Sequence, residues 1–119
     1  MAKIMIVDDA VFMRSVIKGI LESGGWTDTC EADDGDTAVE MYASERPDLT
    51  ILDITMPRQD GIETLRQIKN INPAAKVIMC SAIGQEKQII KAVRDGAADY
   101  IVKPFKPENM LQVVKSVLG

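Results

Sequence analysis

The sequence contains no histidine, and this absence removes several kinds of chemistry. Serine or cysteine nucleophiles activated by a histidine base cannot be assembled. A zinc site is not expected either, because the only two cysteines, Cys30 and Cys80, lie far apart and form no Cys-x-x-Cys pair. We interpret them as free thiols in a reducing cytosol. Any chemistry must come from carboxylates, lysine, hydroxyl groups and a bound metal.

Basic character and long apolar runs are also missing. The net charge of −4 argues against a nucleic-acid partner. No segment approaches the roughly 18–20 apolar residues that cross a bilayer. The N-terminus does not resemble a signal peptide, because a short apolar run after Lys3 ends at two aspartates. A length of 119 residues, 46% of them hydrophobic and 27% charged, predicts one soluble, cytoplasmic domain with no membrane partner.

Short apolar segments alternate with segments of helical periodicity along the whole chain. The apolar segments, interpreted as strands, cover residues 3–8, 26–32, 49–53, 76–80 and 100–102. Such alternation with short connections predicts a parallel sheet with helices on both faces. Five units are too few for a closed eight-stranded barrel. We therefore predict an α/β fold with an open, doubly wound, five-stranded parallel sheet, (βα)5 and flavodoxin-like, in strand order 2-1-3-4-5.

Polar side chains stand at the carboxyl ends of these predicted strands. Asp8 and Asp9 follow the first strand, Asp53 ends the third, and Ser81 and Lys103 end the fourth and fifth. Each residue alone is typical of a turn, a helix cap or a loop. In an open doubly wound sheet, however, all these ends share one edge, and sites form there where the strand order reverses. The joint pattern therefore indicates a functional site.

Three carboxylates in one small space repel each other and need a cation. A hard divalent ion with oxygen ligands fits them, and Mg²⁺ is the commonest candidate. Beside such an ion, Asp53 can attack a phosphoryl group and form an acyl phosphate. Lys103 and the Ser81 hydroxyl can then neutralise the phosphoryl oxygens. The pattern predicts that Asp53 is a phosphate acceptor and that the site is a switch as much as a catalyst.

These residues lie in motifs that resemble a known family from end to end of the chain. The motifs are Val7-Asp8-Asp9, Leu52-Asp53-Ile54-Thr55-Met56-Pro57 with Asp60-Gly61, Cys80-Ser81-Ala82, and Val102-Lys103-Pro104-Phe105. They resemble the receiver domain of a two-component response regulator. Residues 9–14 and 81–85 are similar to those of stand-alone chemotaxis regulators of the CheY type. The resemblance implies that residues 1–119 form a single receiver domain without an output domain.

The resemblance also implies a role for each site residue. Asp53 would take phosphate from the phosphohistidine of a sensor histidine kinase of the CheA type. Asp9, Asp53 and the backbone carbonyl of Thr55 would bind Mg²⁺ directly, and Asp8 would act mainly through water. Lys103 would contact the phosphoryl group.

A further implication concerns signal output. Ser81 and Tyr100 would form a switch pair, the hydroxyl moving toward the phosphate and the ring turning inward. The last two helices and the strand between them would bind a flagellar or archaellar motor switch or adaptor protein. The Lys103–Pro104 peptide bond is expected to be cis. The protein would act as a monomer and not as a turnover enzyme.

Two positions depart from residues that some relatives carry beside the phosphorylation site. Thr55 and Ile83 stand where an amide or an acid can orient the attacking water. We therefore expect slow self-dephosphorylation and dependence on a phosphatase. Ser81 replaces the more usual threonine, which is a conservative change.

Alternative functions remain at this point. The chain could be a receiver in another phosphorelay or gene-regulatory pathway, or part of a larger regulator. It could also be a small Mg²⁺-dependent phosphatase, although such enzymes generally need a second acid where Thr55 stands. The intact set of Asp8, Asp9, Asp53 and Lys103 argues against a scaffold that works without phosphorylation.

Overall fold

The computed structural model describes residues 2–56 and 59–119, so Pro57 of the Asp53 motif lies outside the described residues. Strands and helices alternate strictly along the chain. They are β1 (Ile4–Val7), α1 (Val11–Ser23), β2 (Thr29–Ala32), α2 (Gly35–Glu45), β3 (Leu49–Asp53), α3 (Gly61–Ile71), β4 (Val77–Ala82), α4 (Glu86–Arg94), β5 (Asp99–Lys103) and α5 (Pro107–Leu118).

All strand pairings are parallel, and the sheet order is β2-β1-β3-β4-β5. The predicted fold class and strand order are therefore confirmed. Strands β1 and β3 are neighbours although they are not consecutive in the chain, which places the reversal of strand order between them. Within the described parts of the chain, no helix is long and apolar enough to cross a membrane.

The sheet is buried on both faces by separate apolar layers. Met5 and Val7 point into a layer with side chains of α2 and α3, whereas Ile4 and Ile6 point into a layer with side chains of α1 and α5. This division follows from the alternation of side chains along a strand. It explains why β1 is continuously apolar, as strands covered on both faces are.

The predicted start of strand β2 was wrong by three residues. Residue 26 was expected in the strand, but β2 begins at Thr29. The N–H of Trp26 donates to the carbonyl of Leu21, and the N–H of Gly25 donates to Glu22, each at 3.0 Å. Gly25 has a φ of +95°, so these bonds form a Schellman motif that ends α1. Trp26 therefore belongs to the helix terminus and packs in the α1–α5 layer.

Helix α3 begins directly behind the carboxyl end of β3. Its N-cap is Asp60, whose Oδ1 accepts a 2.9 Å hydrogen bond from the N–H of Glu63. The Glu63 carboxylate accepts a hydrogen bond from Gln67 and lies 3.8 Å from the Arg66 guanidinium. The N–H of Gly61 donates to the carbonyl of Ile54 at 2.7 Å, which ties the start of α3 to the loop after β3.

Candidate functional site

Three carboxylates meet at the carboxyl edge of the sheet. The pairing of β1 with β3 sets Val7 beside Leu52, so the acids that follow these residues converge. One oxygen from each of Asp8, Asp9 and Asp53 lies within 4.8 Å of the others. Asp8 and Asp53 are buried, while Asp9 is exposed. This cluster of hard oxygen ligands, open on one side, is compatible with Mg²⁺.

Lys103 reaches this cluster from the last strand of the sheet. Its Nζ lies 2.9 Å from Oδ2 of Asp8 and 3.5 Å from Oδ2 of Asp53. Strand β4 separates β5 from β3, and the long lysine side chain crosses that distance. The Lys103–Pro104 peptide bond is cis, as the family resemblance implied. The structure thus brings together the acids and the lysine that the sequence placed at strand ends.

Burial and charge shift the pKa values of the two central groups. Burial is the main cause of the raised pKa of Asp53, and the charge of Asp8 adds to it, while Lys103 and the N–H of Thr55 act in the opposite direction. Burial would lower the pKa of Lys103, but its hydrogen bond to Asp8 and the charges of Asp53 and Asp8 raise it overall. Lys103 therefore stays charged, and the Asp53 carboxylate remains incompletely compensated.

Ser81 lies inside strand β4, whereas the sequence placed it at the strand end. The strand continues to Ala82, and Ser81 is completely buried. Within the described residues its Oγ makes no hydrogen bond. A buried hydroxyl without a partner is uncommon. Because its donor is not used within the described residues, the Ser81 hydroxyl is available to hydrogen-bond a group that enters the site.

Tyr100, the proposed partner of Ser81, lies on the neighbouring strand β5. Ser81 pairs with Val102, two residues after Tyr100. The Tyr100 residue is 44% exposed. Tyr100, Val102 and residues Ile90 and Val93 of α4 give the β5–α4 side several exposed apolar groups.

Two polar side chains that contact the site, Arg14 and Gln85, were not predicted from the sequence. Arg14 of α1 donates from Nη1 to the carbonyl of Asp8 at 2.5 Å and from Nε to Glu31 of β2 at 3.0 Å, which holds the loop that carries the acid pair. Gln85 hydrogen-bonds the N–H of Ala82 and the hydroxyl of Thr55. Both residues lie in the segments, 9–14 and 81–85, that carry the family resemblance. That resemblance was the signal in the sequence that could have identified them.

Comparisons with known proteins agree with this geometry. Residues 4–115 match the response regulator receiver domain family, and the chain belongs to this family of two-component signalling proteins. It is closely related to CheY chemotaxis regulators. The chemotaxis protein CheY of Bacillus subtilis is 48% identical over 117 residues, which cover 98% of each chain. CheY of Halobacterium salinarum is 44% identical over 119 residues, covering 99% of this chain and 98% of the relative.

A solved structure has the same fold at high similarity. It is a complex of CheX, CheY, BeF3 and Mg²⁺ from Borrelia burgdorferi. The matched chain has a TM-score of 0.94 and is 38% identical, with 99% of this chain and 90% of that chain covered.

Proposed function

We propose that this receiver is a Mg²⁺-dependent phosphoacceptor switch in chemotaxis, and that Asp53 takes a phosphoryl group from a sensor histidine kinase of the CheA type. The observation that carries the proposal is the contact geometry of Asp53: a buried carboxylate with Lys103 Nζ at 3.5 Å and two further acids beside it. The similarity to CheY proteins over nearly the whole chain supports chemotaxis as the pathway.

In this phosphoryl transfer, Asp53 is the nucleophile. A carboxylate oxygen attacks phosphorus, the bond from phosphorus to the imidazole nitrogen of the donor breaks, and the electron pair leaves with that nitrogen. Lys103 neutralises a phosphoryl oxygen as the acyl phosphate forms. Asp8, Asp9, Asp53 and the carbonyl of Thr55 would hold Mg²⁺, which when bound neutralises negative charge around the transferred group.

The modified Asp53 would carry strong hydrogen-bond acceptors and about two negative charges. The Ser81 hydroxyl of β4, which makes no hydrogen bond within the described residues, would move toward these acceptors and leave space that the Tyr100 ring can enter. The exposed apolar side of α4 and β5 would then bind a motor switch or adaptor protein. Receivers in general act as switches and not as turnover enzymes, and we place this one in the cytoplasm as a monomer.

The direct test is phosphorylation by a small acyl-phosphate donor. We expect the wild-type protein with Mg²⁺ to gain one phosphoryl group by intact-mass spectrometry, and Asp53→Asn to gain none. Asp28→Asn, at an exposed aspartate preceding β2, is the matched control and should label like the wild type. Equal labelling of wild type and Asp53→Asn would disprove the proposal.

A receiver of another phosphorelay would pass that test, so the pathway needs its own experiment. Wild-type protein carrying a phosphoryl mimic should retain motor-switch or adaptor components from a motile cell, and the unmodified protein should not. Exchange of phosphate with unrelated relay proteins, without binding to motor components, would favour the alternative.

A further inference from the structure

The Gln85 side chain connects the two loops that flank Asp53. Its Oε1 accepts a 2.6 Å hydrogen bond from the N–H of Ala82, and its Nε2 donates a 2.7 Å hydrogen bond to Oγ1 of Thr55. Thr55 follows β3 and its N–H lies 3.4 Å from Oδ1 of Asp53. We refer to the Gln85 amide with these two hydrogen bonds as the Gln85 bridge.

The N–H of Ala82 faces the side of β4 on which Asp53 lies. The N–H of Ile54 donates to the carbonyl of Cys80 at 3.0 Å, so the backbone polar groups of Cys80 point toward β3. Those of Ala82, two residues further, point the same way because strand geometry repeats every two residues. Strand β3 ends at Asp53, so it offers no strand partner beside Ala82. The Gln85 side-chain amide accepts the hydrogen bond from the N–H of Ala82 instead.

We infer that the Gln85 bridge occupies a backbone donor that a phosphoryl group on Asp53 would use, so that phosphorylation must displace the Gln85 amide. This inference rests on the proposed function of Asp53. A phosphoryl oxygen is a charged acceptor, and charge-assisted hydrogen bonds are roughly twice as strong as neutral ones. The phosphoryl group is therefore the preferred acceptor for the N–H of Ala82. Because the Gln85 hydrogen bond is lost in the exchange, the net free energy gained is smaller than with an unoccupied donor.

The surrounding turn can accommodate the displacement. Gly84 has a φ of +94°, and an added Cβ there would meet no atom within 4 Å, so the turn between Ala82 and Gln85 has open space beside it. Helix α4 begins at Glu86, directly after Gln85, and within the described chain the Gln85 side chain makes no capping bond to it. Release of the Gln85 bridge would therefore free the first turn of α4 from the loop after β3.

The first experiment measures affinity for a stable phosphoryl mimic. Beryllofluoride is titrated in excess Mg²⁺, with ¹⁹F NMR as the readout of the bound form. Gln85→Ala frees the N–H of Ala82, so we expect about three- to tenfold tighter binding. Gln85→Glu keeps an acceptor for that N–H and adds a negative charge near the mimic, so we expect weaker binding by a similar factor. Gln88→Ala, at an exposed glutamine in the first turn of α4, should match the wild type.

These outcomes separate the inference from the proposed function. If the wild-type protein does not bind the mimic, or Asp53→Asn binds it equally, the proposed function fails. If the wild type binds through Asp53 but Gln85→Ala binds no more tightly, the inference fails. A role of Gln85 in shaping the turn alone predicts weaker binding for both Gln85→Ala and Gln85→Glu, so the opposite signs are diagnostic.

The second experiment needs neither metal nor mimic. Amide hydrogen exchange of Ala82, followed by NMR in the presence of a chelator, reports directly on the donor that Gln85 occupies. We expect Gln85→Ala to accelerate exchange at Ala82 about tenfold, and Thr55→Val to accelerate it less because only the anchor of the amide is lost. Unchanged exchange at Ala82 in Gln85→Ala would overturn the inference.

Discussion

At the scale of single residues, the charge on Asp53 makes the unmodified protein less stable. Burial is the main cause of its raised pKa, so between the unfolded pKa of 3.8 and the folded pKa the native state binds more protons than the unfolded state. Stability contributed by this group therefore falls as pH rises through that window. The site thus holds a carboxylate whose negative charge destabilises the native state until a metal cation binds beside it.

We predict that Asp53→Asn stabilises the metal-free protein at pH 7 by on the order of 1 kcal/mol, because it removes this charge. The gain should shrink as pH falls below the raised folded pKa and vanish below 3.8, where the aspartate is protonated in both states. Urea unfolding with a chelator at several pH values measures the effect. A destabilised Asp53→Asn at pH 7 would show that Lys103 overcompensates the charge.

Lys103 would compete with a metal ion for the same carboxylates, since its Nζ contacts both Asp8 and Asp53. We predict that Lys103→Met binds Mg²⁺ about three- to tenfold more tightly, because a positive charge leaves the cluster. The same variant should be labelled more slowly by an acyl-phosphate donor, because the phosphoryl oxygens lose a partner. Calorimetric titration and mass spectrometry measure these two effects.

Lys106→Met is the control for Lys103→Met, since Lys106 is exposed on the adjoining loop and caps α5 only through its backbone. It should leave both Mg²⁺ affinity and labelling unchanged. If Lys103→Met weakened both Mg²⁺ binding and labelling, the lysine would be holding the acids in place rather than competing for them.

Residues at strand ends were predictable because topology alone places them. The sequence located Asp8, Asp9, Asp53 and Lys103 at one edge, and the structure brings them together. The contacts of Gln85 depend instead on the conformation of a turn and on side-chain reach between two loops. The hydrophobic periodicity of a sequence does not report how far a loop side chain extends, so this contact is visible only in the folded structure.

At the scale of elements, a glycine sets the distance between α3 and β3. A Cβ on Gly61 would lie 2.3 Å from the carbonyl oxygen of Asp53 and 2.7 Å from Cα of Ile54. These are backbone atoms and cannot rotate away. The start of α3 therefore packs against the strand end that carries Asp53, and this approach requires the absence of a side chain.

We predict that Gly61→Ala destabilises the protein by about 2–3 kcal/mol through overpacking against the backbone. Gly19→Ala is the matched control, because Gly19 lies in the interior of helix α1 and an added Cβ there meets no atom within 4 Å. That change should stabilise the protein by about 0.5–1 kcal/mol, since alanine is the better helix former. Thermal unfolding of both variants gives the comparison, and equal effects would contradict it.

The element pattern was predictable because local periodicity and tertiary burial agree along this chain. The apolar runs of β1 and β3 are buried on both faces, as their sequences indicated. The start of β2 was not predictable from apolar pattern alone. There the Gly24-Gly25 pair ends α1 with a motif that also consumes the N–H of Trp26, which leaves a loop before Thr29.

At the scale of the whole molecule, an ion at the acidic cluster would connect neighbouring strands that are distant in sequence. Asp8 and Asp9 follow β1, whereas Asp53 ends β3, and both strands lie in the middle of the sheet. The cluster exists only when the sheet is formed. Binding should therefore stabilise the native state and leave the unfolded chain unaffected.

We predict that Mg²⁺ at about ten times its dissociation constant raises the free energy of unfolding by about 1.4 kcal/mol. For a domain of this size the expected rise in Tm is roughly 5 °C. Asp9→Asn should lose most of this response, because it removes a ligand at the exposed side of the cluster, whereas Asp28→Asn should keep it. Differential scanning calorimetry with Mg²⁺ or a chelator measures both. An equal response of Asp9→Asn and wild type would place the stabilising ion at a different part of the surface.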